Sequence, residues 1–137
     1  MSILNMQTIR YINLLDRTSQ VKTRNCFIYN NTIIFAVQKE LVSRAIGPNG
    51  TNIRRINEQL GKRIKVIVEP KDISDAERFI LDIVSPIKFK SLELKDDCFI
   101  LNAGAQSKAA LIGRNRRRYD ELKSILEASF GKDLRIV

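Results

Sequence analysis

Apolar and polar positions along the chain change period in a fixed order. Residues 5–18, NMQTIRYINLLDRT, carry apolar side chains at helical spacing. Two short apolar runs, CFIY and TIIFAV, flank Asn30-Asn31. Asparagine tolerates positive φ, so the pattern predicts two strands joined by a tight hairpin. An amphipathic stretch then runs to Ile46-Gly47, followed by a loop and a second helical pattern. In that pattern Ile53, Ile56 and Leu60 share one face. Gly61 marks the end of this helix, and KRIKVIVEP reads as a strand closing at Pro70.

The same order of periods then recurs. Ile33–Gly47, IIFAVQKELVSRAIG, aligns with Phe99–Gly113, FILNAGAQSKAALIG, at a constant offset of 66. Ile53, Ile56 and Leu60 return as Tyr119, Leu122 and Leu126. Gly61 returns as Gly131 at an offset of 70, which predicts a second helix about one turn longer. Upstream, residues 74–84 are helical in period, with Ser74 and Glu77 spaced as a capping box. KFKSLEL and CFIL flank Lys95-Asp96-Asp97 as a second strand pair, and KDLRIV is the last strand pattern. The fold class is α+β. Residues 1–70 and 71–137 form two copies, each α-β-β-α-α-β, with a three-stranded sheet covered on one face by helices.

The sharpest local signal is Ile46-Gly47-Pro48-Asn49-Gly50-Thr51-Asn52-Ile53. Two glycines frame a two-residue turn between helices. A helix N-terminus offers unpaired N–H groups and partial positive charge to a phosphate. Glycine has no Cβ, so a sugar-phosphate backbone can approach the main chain closely. This stretch resembles the I-G-x-x-G-x-x-I motif of the KH domain, matching at Ile46, Gly47, Gly50 and Ile53. The family's GxxG loop grips about four nucleotides of single strand. One strand following the last helix, with the chain stopping at Val137, is expected to leave room only for the type II topology. Two tandem type II KH domains resemble the short archaeal NusA-like family of transcription elongation and termination factors. No room is expected for the additional regions of the bacterial form.

The second copy departs from the motif: Ile112-Gly113-Arg114-Asn115-Arg116-Arg117-Arg118-Tyr119 has arginine where the second glycine is due. A long side chain there blocks close approach or replaces it with guanidinium–phosphate contacts. Charge adds to this asymmetry. The whole chain carries +9; residues 1–70 hold 11 Lys and Arg against 4 Asp and Glu, and residues 71–137 hold 13 against 11. Such an excess suits an anionic partner.

Composition then excludes chemistry. The chain has no histidine, which removes Ser-His-Asp and Cys-His nucleophile pairs and His-ligated metals. Cys26 and Cys98 lack metal-cage spacing and suit a reduced, cytoplasmic setting. The paired acids Asp96-Asp97 and Asp120-Glu121 read as a turn and an exposed helix face. No catalytic residue, metal or cofactor is assigned. No apolar run approaches the ~18 residues of a membrane helix, and the N-terminus lacks a signal-peptide pattern.

The RNA-binding positions are Arg44, Ile46, Gly47, Pro48, Asn49, Gly50, Thr51, Arg54 and Arg55 in the first copy. In the second they are Gly113, Arg114, Asn115, Arg116 and Arg117. Read only structurally, Arg54 pairs with Glu58 at i,i+4, and the arginine cluster is a solvated face. Ile33, Ile34 and Phe35 read mostly as core; by resemblance, one edge of their strand lines the groove under the bases. The partners implied are single-stranded RNA and, through it, the RNA polymerase elongation complex, with the protein a monomer. The alternatives are an rRNA-binding ribosome assembly factor, a nucleic-acid-processing enzyme and a protein-docking module.

Overall fold

The computed structural model describes residues 5–137. Residues 1–4, which open the assigned stretch 1–70 and the N-terminus read for a signal peptide, lie outside the described residues. The described chain divides into two compact units, one running to Glu69 and the other spanning Pro70–Val137.

In the first unit, α1 (Met6–Ser19) begins at a reciprocal cap. Asn5 Oδ1 accepts from Thr8 N–H, and Asn5 N–H donates to Thr8 Oγ1, each at 2.9 Å. β1 (Asn25–Tyr29) and β2 (Thr32–Val37) pair antiparallel through Asn30 and Asn31, at φ 51° and 57°. A 3₁₀ turn at Lys39–Leu41 leads into α2 (Val42–Ile46), and a second at Pro48–Gly50 leads into α3 (Thr51–Leu60). Gly61 ends α3 at φ 65°, and β3 (Arg63–Val68) returns parallel to β2. The sheet order is therefore β1-β2-β3. Ile33, Phe35 and Val37 alternate onto one face of β2, where they join Leu15, Ala45 and Ile56 in a fully buried core.

The second unit repeats the order. A 3₁₀ turn at Ile73–Asp75 precedes α4 (Ala76–Val84), then β4 (Ser91–Lys95), β5 (Cys98–Asn102) and α5 (Ala105–Ile112). A turn at Arg114–Arg116 opens α6 (Arg117–Phe130), and β6 (Asp133–Ile136) pairs parallel with β5. Asp96 and Asp97, at φ 52° and 60°, make the β4–β5 turn. Phe99, Leu111, Leu122 and Leu134 are buried. Phe130 meets the rings of Phe99 and Phe79 edge-on, at 5.6 and 5.9 Å between centroids. At 14 residues α6 exceeds the 10 of α3 by about one turn, as the shifted glycine requires.

Three local expectations are corrected. Ser74 and Glu77 do not form the helix cap. The chain enters α4 through the 3₁₀ turn, which puts the N–H to be capped at Ser74, within reach of Asp72 Oδ1 at 2.9 Å; the Ser74 hydroxyl also donates to Asp72. The strand pattern KFKSLEL is strand only from Ser91, because Ser91 pairs with Asn102 and β5 ends there. Finally, Ile33, Ile34 and Phe35 are buried in the core as expected, but β2 is the middle strand, paired on both sides, and has no free edge to line a groove. The edge strands are β1 and β3.

Candidate nucleic-acid interface

The loop between α2 and α3 is built from positive-φ backbone. Gly47, at φ 80° and ψ 165°, ends α2 with its N–H on the Ser43 carbonyl at 2.9 Å. Asn49 is left-handed at φ 55°, and Gly50 at φ 72°. Gly50 N–H turns back to the Gly47 carbonyl at 3.0 Å. Gly50 is also the N-cap of α3, and no side chain caps that helix. Its first-turn N–H groups thus keep the orientation and partial charge that favour an anion.

Two side chains hold the loop in place, and the sequence reading missed one of them. Asn52 Nδ2 donates to the Arg44 carbonyl at 2.9 Å, tying α3 to the end of α2. A Cβ on Gly47 would lie 2.8–2.9 Å from Asn52, including its backbone nitrogen. Arg54 Nη2 donates to the Asn49 carbonyl at 2.6 Å, a partner that neither reading of Arg54 named. Arg54 therefore sits at the loop and adds its charge there. Arg55 diverges from it. With Leu14, Arg17 and Thr18 of α1, and Glu58 and Gln59, it lines a cleft of about 530 Å³.

Pro48, Asn49, Thr51 and Arg44 are exposed around the loop, while Ile46 and Ile53 are half-buried at its two ends. Val42, Ile64 and Val66 pack partly buried against the core from α2 and the edge strand β3. These side chains are apolar and partly exposed where α2, which leads into the loop, contacts β3.

The second loop keeps the same backbone despite its different sequence. Gly113 stands at φ 76° and ψ 173°, Asn115 at φ 57°, and Arg116 at φ 60° and ψ 21°. Arg118 takes the place of Asn52 against the first glycine: its Cγ would lie 2.5 Å from a Cβ on Gly113. Arg114, Asn115 and Arg117 are exposed. The Arg116 guanidinium lies over the Tyr119 ring, 4.8 Å from its centroid. Tyr119 is half-buried and donates its hydroxyl to the Leu134 carbonyl at 2.6 Å. Beside it is a cleft of about 410 Å³ lined by Lys108, Ile112, Arg116, Tyr119, Arg135 and Ile136. Lys108 and Arg135 were missed because they come from α5 and β6, far apart in sequence, and carry no motif.

Other reactive groups stand apart from these loops in the sequence and in their contacts. Cys26 is fully buried, and burial pushes its thiol up to about 12, far from the thiolate form at neutral pH. Asp97 is held below the usual carboxylate range by its hydrogen bond and attraction to Lys132 Nζ, 2.7 Å away. Among the described residues, no helix is long and apolar enough to cross a membrane.

Comparison with known proteins gives one match that spans this loop and others that run over nearly the whole chain. Residues 32–81 match the family model described as the KH domain, a span running from β2 through the GPNG loop and β3 into α4. A Halococcus morrhuae protein named probable transcription termination protein NusA is 22% identical over 133 residues, covering 95% of this chain and 94% of that one. The protein of the same name from Methanocaldococcus jannaschii is 24% identical over 128 residues, covering 90% and 68%. That from Methanococcus vannielii is 24% identical over 139 residues, covering 98% and 79%. Among solved structures, the crystal structure of APE1850 superposes with a TM-score of 0.68 at 25% identity, covering 98% of this chain and all of that one. The chain thus carries a KH-domain match around its GPNG loop and, over nearly its whole length, resembles the archaeal NusA-like transcription termination proteins.

Proposed function

We propose that this is a non-catalytic, single-stranded-RNA-binding protein of two tandem type II KH domains, residues 1–70 and 71–137. In this reading it modulates transcription elongation or termination through nascent RNA. The observation that carries it is the Gly47–Gly50 loop: positive-φ backbone, a helix start with no side-chain cap, and Arg44 and Arg54 beside it. The recurrence of that backbone at Gly113–Arg116 supports a second contact. The order α-β-β-α-α-β in each unit, with β3 and β6 parallel to the central strand, supports the type II reading. The name carried by the archaeal relatives supports the link to transcription termination.

In mechanism, the phosphate backbone lies along Gly47–Gly50 and the start of α3, where main-chain N–H groups and arginine side chains neutralise it. Bases then lie over the apolar flank between α2 and β3. Because the clamp holds backbone, base identity is set by groove shape. The test is a titration of short single-stranded RNA with the Pro48→Asp, Asn49→Asp double variant. Two carboxylates facing phosphate should weaken binding on the order of tenfold or more while leaving the circular dichroism spectrum unchanged. Unchanged affinity in the folded variant would refute the clamp.

A further inference from the structure

The second unit departs from the motif at two positions that touch each other. Arg116 replaces the second glycine, and Tyr119 stands where the first unit has Ile53. The guanidinium covers one face of the phenol ring at 4.8 Å. The ring is fixed at its far end by the hydroxyl's hydrogen bond to the Leu134 carbonyl on β6. It forms part of the wall of a 410 Å³ cleft whose lining carries Lys108, Arg116 and Arg135 and no carboxylate. An oriented aromatic ring in a cationic, partly apolar cleft fits an unpaired nucleobase attached to a phosphate chain.

We infer that Tyr119 is a stacking platform for one base of single-stranded RNA, and that Arg116 covers it in the free protein and moves to the phosphate when the base arrives. The inference rests on the RNA-binding reading and extends it to the second unit, where the motif is incomplete. It gives the two loops different tasks. The first, with Gly50 and Ile53, has no ring to stack on and holds backbone; the second adds a base contact insensitive to base identity, since every base has a π-face. Arg116 occupies the backbone conformation of Gly50, so its side chain can exchange partners without rebuilding the loop.

The test uses the full chain and a short single-stranded RNA, intact and in versions each lacking one base. Tyr119→Ile installs the residue found at the equivalent position of the first unit. It should weaken binding about fivefold or more and erase the penalty of the most sensitive abasic position. The salt slope should stay the same, because stacking releases no counterions. Tyr119→Phe keeps the ring and should bind within about twofold of the parent. Tyrosine emission gives a readout that does not depend on how Tyr119→Ile folds: Tyr11 and Tyr29 are buried at 5% and 3% exposure, so quenching on binding reports Tyr119 and should vanish in Tyr119→Phe. No quenching in the parent, or equal abasic penalties in parent and Tyr119→Ile, would overturn the inference. So would an abasic penalty that disappears with Arg116→Ala but survives Tyr119→Ile. Failure of the clamp reading is separate: Pro48→Asp, Asn49→Asp would bind normally whatever Tyr119 does.

Discussion

Gly47 and Gly113 stand at φ 80°, ψ 165° and φ 76°, ψ 173°, a region occupied essentially by glycine alone. Gly50 and Arg116 stand instead in the left-handed helical region, which other residues enter at a cost of about 1–2 kcal/mol. This difference explains why the second loop keeps its first glycine and dispenses with its second. It also orders two substitutions. Gly50→Ala meets only Ile53 at 3.8 Å, so it should cost the left-handed strain alone, about 1–2 kcal/mol. Gly47→Ala adds a 2.9 Å approach to the Asn52 backbone nitrogen and should cost clearly more. Urea midpoints at constant slope measure both, and equal losses would contradict the assignment. Magnitudes also decide the exchange at Tyr119. An exposed cation–π contact is worth about 0.5–1 kcal/mol, and stacking of a base about 1–3 kcal/mol, so an arriving base displaces Arg116.

At the scale of elements, the sheets decide which surfaces are open. β2 and β5 are central strands; of the edge strands, β3 contacts α2 and β6 contacts α5, the helices that lead into the two loops. The helices, the hairpin at Asn30-Asn31 and the glycine stops were legible because each has a local cause: apolar period, positive-φ asparagine, left-handed glycine. The cap of α4 was misread because the 3₁₀ entry turn moves the capping position without changing the composition. The second unit also carries a cluster of local carboxylate contacts. Asp72 is held below 3.8 by the Ser74 hydroxyl and N–H, Asp97 by Lys132, and Asp133 by the Leu134 N–H and by Lys123. A carboxylate depressed in the folded state contributes stability above its unfolded pKa and loses it as pH falls through the folded value. The tether from Asp97 in the β4–β5 turn to Lys132 ahead of β6 should therefore be intact at neutral pH and vanish in acid below 3.8. Urea midpoints of the parent and Asp97→Asn should differ slightly at neutral pH and converge below the depressed value. A constant difference would show that the tether does not act through charge.

For the molecule as a whole, charge separates the two units. Residues 1–70 hold most of the net +9, and the second copy is nearly balanced except for arginines at 114, 116, 117 and 118. Every phosphate that a variant leaves without its cation should lower the salt slope of RNA binding by about 0.7. Replacing Arg114, Arg116 and Arg117 together by alanine should accordingly flatten that slope while leaving base preference unchanged; altered preference would mean that these side chains read bases. The element types and the GxxG position could be deduced from sequence because each depends on neighbours within a few residues, and the repeat because the same local pattern returns 66 residues on. The groove wall could not, since strand order is a long-range property, and a middle strand and an edge strand can share one apolar composition. Nor could the pairing of Arg54 with the Asn49 carbonyl, or the cover of Arg116 over Tyr119, since helical spacing fixes which face a side chain takes but not the partner it meets. Sequence by itself determined where a glycine-framed, helix-joining loop stands and that its pattern recurs. Only the tertiary structure decided what surrounds each copy, because that depends on which strands and helices folding brings alongside.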